Sequence, residues 1–167
     1  LLTSEQAGVV RGRVGVDALH GLALDSTEKP VEELLADFIK GECARPFAYG
    51  FSDCGSTADR WVRRALGFSP MAVYGMAYSG PTEAEAWLRQ PGGLAVAFNR
   101  VMRASGLRRT KEPRPGDIGL VFAGQGRLAV AIHAGRCWFS HDEHGLIAAP
   151  LDAVWKAWSV ECRKQSR

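Results

Sequence analysis

The stretch Phe47-Ala48-Tyr49-Gly50-Phe51-Ser52-Asp53-Cys54-Gly55-Ser56 decides how the rest of the chain is read. It combines an extended run, a glycine at a turn, and two residues, Ser52 and Asp53, whose side-chain oxygens can cap a helix. Behind them Ala58, Trp61, Val62 and Ala65 recur at helical spacing from Cys54. A helix therefore begins at the cysteine and carries it at the N-terminal edge of its buried face. Unpaired amide N–H groups and the positive end of the helix dipole both favour a thiolate there. A nucleophilic cysteine is prepared in this way. The competing reading is a small apolar side chain that fills the core.

Upstream, Pro30 stands at a helix start, and Val31, Leu34, Leu35, Phe38 and Ile39 predict an amphipathic helix to about Lys40. Residues 1–30 place Val9, Val10, Val14, Val16 and Leu19 among Gly8, Gly12, Gly15 and Gly21. This irregular arm, which also holds His20, is expected to order against another subunit rather than to cover the domain's own core.

Downstream, the Cys54 helix is expected to end near Gly67, and the pattern from Ser69 to Arg109 is again helical. Thr82 to Arg89 form one short helix closed by Pro91-Gly92-Gly93, and Leu94 to Ala104 another closed by Gly106. After Arg114-Pro115-Gly116-Asp117 the period changes. Ile118–Phe122, Leu128–Ala134, Arg136–His141 and Leu146–Ala149 are short, β-rich and separated by glycine-containing turns. Trp155 and Trp158 are expected to pack back on that sheet. Helices first and an antiparallel sheet afterwards predict an α+β domain over residues 31–160, followed by a basic tail at 161–167.

A length of 167 residues with 46% apolar side chains fits one domain with a full-sized core. The net charge of +3 is too small to imply nucleic acid as a partner. The clusters Arg108-Arg109-Thr110-Lys111 and Arg163-Lys164-Gln165-Ser166-Arg167 read as solvated surface. No apolar run is long enough to cross a bilayer, and no signal-peptide pattern opens the chain. The chain begins without methionine, which leaves room for a trimmed upstream segment.

Cys43, Cys54, Cys137 and Cys162 do not form a disulfide framework for a chain of this length and read as reduced thiols. Cys137, His141 and His144, with Cys162 beyond, are zinc-type ligands. On a strand, however, Cys137 and His141 stand about 13 Å apart. No metal and no cofactor is expected.

The order of Tyr-Gly-x-x-Asp-Cys opening a helix, Arg-Pro-Gly-Asp before a strand, and paired strands carrying histidine resembles the NlpC/P60 cysteine peptidases. More closely, the chain is similar to a phage-associated branch of that superfamily, of unknown function. The matching features are Arg45 to Gly50, Asp53-Cys54, the Gly92-Gly93-Leu94 turn, Pro115-Gly116-Asp117, Gly145-Leu146 and Ala157-Trp158-Ser159-Val160. They span about residues 31–160 and leave the arm outside. The resemblance implies a papain-like fold, with N-terminal helices packed on an antiparallel sheet and Cys54 as the nucleophile.

In that family a general-base histidine opens a strand reading His-Val-Gly-Ile-Tyr, and a second polar residue, often histidine, sits on the next strand. Here the first strand reads Ala129-Val130-Ala131-Ile132-His133-Ala134-Gly135 and the next Trp138-Phe139-Ser140-His141. The resemblance therefore places His141 at the second position and Ala129 at the base position. An alanine takes no proton. His133 shares a strand face with Ala129 but lies about 13 Å further along. It serves as the base only in a different register; otherwise it is a satisfied sheet histidine. His141 either reaches Cys54 directly in a rearranged site or persists as a partner without its base. His144, in the Asp142-Glu143-His144-Gly145 turn, reads as exposed, and His20 as surface.

Two functions follow from the resemblance. One is a phage tail component, at the tail tip or in tail assembly, with a peptidase-like fold and a degenerate site. The other is an active cysteine peptidase that cleaves peptidoglycan stem peptides during cell-wall penetration. The implied partners are other phage tail proteins and, for the enzyme, peptidoglycan. The implied location is the virion, after synthesis in the bacterial cytoplasm.

Overall fold

In the computed structural model, residues 29–161 are described. The arm up to residue 28, with His20, and the tail from Cys162 onward lie outside the described residues, as do the expectations attached to them.

Five helices come first. Helix α1 (Val31–Cys43) follows Pro30, runs three residues past the expected Lys40, and buries Leu35 and Phe38. Helix α2 (Cys54–Leu66) is capped by Asp53, whose side chain accepts the Ser56 N–H, and it stops at Gly67 with φ +82°. Its Ala58, Trp61 and Val62 are all buried, as their spacing predicts. Helix α3 (Pro70–Tyr74) is too short to leave a periodic signal, although its Ser69 cap and first-turn proline are both present in the sequence. Helices α4 (Pro81–Leu88) and α5 (Gly93–Ala104) each begin one residue earlier than their periodicity implies.

The strands are β1 (Arg109–Thr110), β2 (Ile118–Phe122), β3 (Leu128–His133), β4 (Trp138–Asp142), β5 (Gly145–Ala149) and β6 (Val154–Trp158). They form one six-stranded sheet in the order β1-β6-β2-β3-β4-β5, and every neighbouring pair is antiparallel. Two strands correct the sequence reading. Arg109 and Thr110, read as part of a solvated basic cluster, form an edge strand on Trp158 and Ala157. Trp155 does not pack on the sheet: it lies within β6 and is 48% exposed, whereas Trp158 is fully buried. The β2–β6 register shifts between Leu120 and Val121, so simple alternation does not carry Trp155 inward.

The two faces of the sheet differ in character. Leu120, Val130, Ile132, Phe139 and Trp158 face the helices and join Phe38, Trp61, Val62, Phe98 and Val101 in the main core. The other face carries a smaller cluster of Val121, Ala129, Ala131, Trp138, Ala149 and Ala157. A Cβ at Gly119 would come within 2.7 Å of the Trp138 ring, so only glycine lets that indole lie across β2.

The turn at Pro115-Gly116-Asp117 locks helix to sheet. Gly116 takes φ +95°, its carbonyl accepts the Trp61 indole N–H at 2.7 Å, and its N–H donates to the His133 carbonyl at 2.8 Å. The buried Asp117 carboxylate accepts the Arg114 and Val160 N–H groups, both at 2.8 Å. No helix of the described residues is long and apolar enough to cross a membrane.

Candidate functional site

Cys54 is positioned by the loop that precedes it. Glu42, buried at the end of α1, pairs with Arg60 of α2 and with Arg45 at 3.1 Å, and Arg60 also donates to the Phe51 carbonyl. Because a buried carboxylate needs such partners, this ion pair fixes α1, α2 and the loop together. Ser52 closes the turn by accepting the Ala48 N–H at 2.8 Å and donating to the Pro46 carbonyl at 2.6 Å. Gly50 adopts φ +79°, and a Cβ there would stand 2.1 Å from the Tyr78 carbonyl oxygen, so glycine is required on both counts.

Asp53 organises the N-terminus of α2. Its carboxylate accepts the Gly50 N–H at 2.5 Å, the Ser56 N–H at 2.9 Å, the Ser56 hydroxyl at 3.0 Å and the Tyr78 hydroxyl at 2.8 Å. Burial, then the adjacent Asp53 carboxylate, push the Tyr78 phenol far above its ordinary range, so it stays a donor. Nothing in the sequence around Tyr78 signals this role. It lies between α3 and α4 and is brought in only by tertiary packing.

The thiol of Cys54 meets the sheet where β3 and β4 separate. These strands pair only at Ile132–Phe139 and His133–Trp138. Beyond that point the Val130 carbonyl accepts the Ser140 hydroxyl at 2.6 Å, and the Val130 N–H lies near enough to the Cys54 sulfur to favour its thiolate. A second backbone N–H, that of Gly55, also reaches the sulfur. Cys54 packs against both the main core and the smaller cluster that contains Ala129.

The helix N-terminus does not decide the acidity of Cys54. Burial pushes the Cys54 thiol up from 9.0 to about 11, and the carboxylates of Asp53 and Asp142 add to the rise. The Val130 and Gly55 N–H groups oppose it without prevailing. Cys54 keeps some solvent-accessible surface, but the sulfur is enclosed on enough sides for desolvation to dominate. At neutral pH it is a thiol, with no general base among the groups that set its acidity.

The two sheet histidines are held by other contacts. His133 is buried, its Nδ1 accepts the Gly135 N–H at 3.1 Å, and its ring meets Trp138 edge-on at 5.0 Å. Burial holds its imidazole below the ordinary range despite the charge of Asp117. His141 is buried on β4, which packs against α2, and its ring meets Phe47 edge-on at 5.8 Å. Its Nδ1 has no hydrogen-bond partner among the described residues. His144 is exposed in the β4–β5 turn, beside Glu143.

A mostly apolar cavity of about 90 Å³ opens beside the thiol. Tyr49, Tyr78, Trp87, Leu94 and Phe98 line it with Cys54. Its polar edge is the Asp53–Tyr78 pair, whose atoms already satisfy each other. The site can hold an uncharged, apolar group, and it offers no charged group left without a partner. Among the described residues no three metal-ligating side chains converge.

Residues 28–160 match the model of a family described as a domain of unknown function, DUF6950. The match covers most of the chain, which therefore belongs to that family. No curated protein matches it.

Proposed function

We propose that this member of the DUF6950 family has an NlpC/P60-type, papain-like fold with a degenerate catalytic site, and that it serves as a phage tail component at the tail tip or in tail assembly. The supporting observation is the state of Cys54. It stands at a helix N-terminus against the sheet, as a nucleophile of that family does, yet its thiol is raised to about 11 and it packs against a cluster holding Ala129. Peptide cleavage needs an imidazole or equivalent to take the thiol proton and deliver it to the leaving amine. Ala129 cannot do so, and His133 is engaged with the Gly135 N–H. The tail assignment rests on the sequence resemblance.

The test has two arms. Incubated with purified peptidoglycan, the protein should release no stem-peptide fragments beyond those released by Cys54→Ser. Antibodies against it should label the tails of particles that carry it, and tails free of label throughout assembly would refute the structural role.

A second reading, an active stem-peptide peptidase, draws support from His141. A buried imidazole nitrogen without a partner is costly, and a substrate group would satisfy it. Robust hydrolysis abolished by both Cys54→Ser and His141→Ala would establish that reading.

A further inference from the structure

At the far side of the sheet from Cys54, strand β6 is left half-paired. Its inner neighbour β2 accompanies it from Val154 to Trp158, but its outer neighbour β1 pairs only at Trp158 and Ala157. After Thr110 the chain turns away: Thr110 Oγ1 accepts the Glu112 N–H at 3.1 Å, and Pro113 has no N–H with which to continue a ladder. The outer side of Val154, Trp155 and Lys156 thus faces a cleft of about 260 Å³, walled opposite by Lys111 and Pro113.

Its charge is one-sided. Arg109, Lys111 and Lys156 line it, and no carboxylate does. None of the three makes an ion pair among the described residues. Arg109 and Lys156 instead lie over the rings of Trp158 and Trp155, at 5.3 and 4.3 Å. Both cations line the same cleft. Lysines and a proline at a sheet edge are a common protection against indiscriminate strand pairing. An indole left 48% exposed in the same gap is not protective. Together these features disfavour a basic strand and favour an acidic one.

We propose that this notch is a docking site for an acidic, extended segment of a partner protein. The segment pairs its backbone with Val154–Lys156 in the place β1 vacates and sets alternate carboxylates toward Arg109, Lys111 and Lys156. The assignment does not depend on the reading of Cys54. A polyphosphate or nucleic acid would use the cations but not the strand edge, and so fits fewer of the observations.

The experiment titrates the full chain with the blocked peptide acetyl-Glu-Val-Glu-Val-Glu-amide, by calorimetry and by following the Trp155 indole and the 154–156 amides in NMR spectra. Binding should perturb those signals. It should weaken by about 10-fold or more in Lys111→Glu/Lys156→Glu, by loss and reversal of two exposed ion pairs. The lysine counterpart of the peptide and a version methylated on its backbone nitrogens should both fail to bind. Equal affinity for the N-methylated peptide would overturn strand pairing. Equal or tighter binding of a thymidine oligonucleotide, or no binding of the acidic peptide, would overturn the choice of partner. Self-association abolished by the same double variant would assign the edge to a second copy of the chain and overturn it as well.

Discussion

Alkylation of Cys54 as a function of pH tests the chemistry of the site most directly. A thiol of pKa 9.0 is about one-tenth ionised at pH 8, whereas one raised to about 11 is ionised to roughly one part in a thousand. Iodoacetamide should therefore modify Cys54 about 100-fold more slowly than the same cysteine in the urea-unfolded chain. Steric occlusion also slows the reaction, but it does so equally at every pH and leaves the midpoint where the thiol pKa sets it. The rate should still be climbing at pH 10, as followed by peptide mass spectrometry. A midpoint below pH 8 would show that the helix N-terminus outweighs desolvation and would refute the reasoning.

The same displacement has a consequence for stability. Because the folded-state value is the higher one, the folded protein binds this proton more tightly than the unfolded chain does. The contribution, roughly 3 kcal/mol, is fully present below about pH 9 and is lost as pH rises toward 11. Tyr78 is raised as well, so the Cys54 part is isolated by comparing denaturation midpoints with Cys54→Ser, where this step should vanish.

Four substitutions probe the supporting structure. Cys54→Ala removes the sulfur beside the Val130 N–H and should cost about 1–3 kcal/mol in urea denaturation, while Cys54→Ser, which retains a polar atom there, should cost less. Gly50→Ala combines an unfavourable φ with a 2.1 Å clash on the Tyr78 carbonyl and should lower stability by more than about 1 kcal/mol; a neutral effect would mean that the loop is free to shift. Ala129→His inserts an imidazole at a site only 5% exposed, paired to Val121, and overpacking should cost about 1–3 kcal/mol. If the new imidazole reaches the thiol, the alkylation midpoint should fall below that of the unmodified protein.

The parts of this molecule legible in its sequence are those governed by neighbours a few residues away. The start of α2 follows from Asp53 and the spacing of Ala58, Trp61 and Val62, and the placing of Ala129 and Ala131 on one sheet face follows from strict alternation. The misreadings arise where distant packing decides. The helix dipole and the Asp53 carboxylate at Cys54 are local and readable, but the burial that dominates the thiol depends on tertiary packing against the sheet. Trp155 was expected inside because nothing local marks the register shift opposite it in β2. Strand β1 has two residues, too few for any period, and its identity depends on Trp158 and Ala157 some fifty positions away.

A cysteine at a helix N-terminus invites a catalytic reading, yet in this chain its sulfur also sits against the sheet. Where β3 and β4 part, the Ser140 hydroxyl satisfies the Val130 carbonyl and the Cys54 sulfur lies beside the Val130 N–H. A buried N–H without a partner is costly, so the thiol has a structural use that survives the absence of a base. Under the proposed function this accounts for a nucleophile-like cysteine beside an alanine. The protonated form tolerates the nearby Asp53 and Asp142, whereas a thiolate would add negative charge beside two carboxylates. The same desolvation that suits the architecture therefore opposes the chemistry.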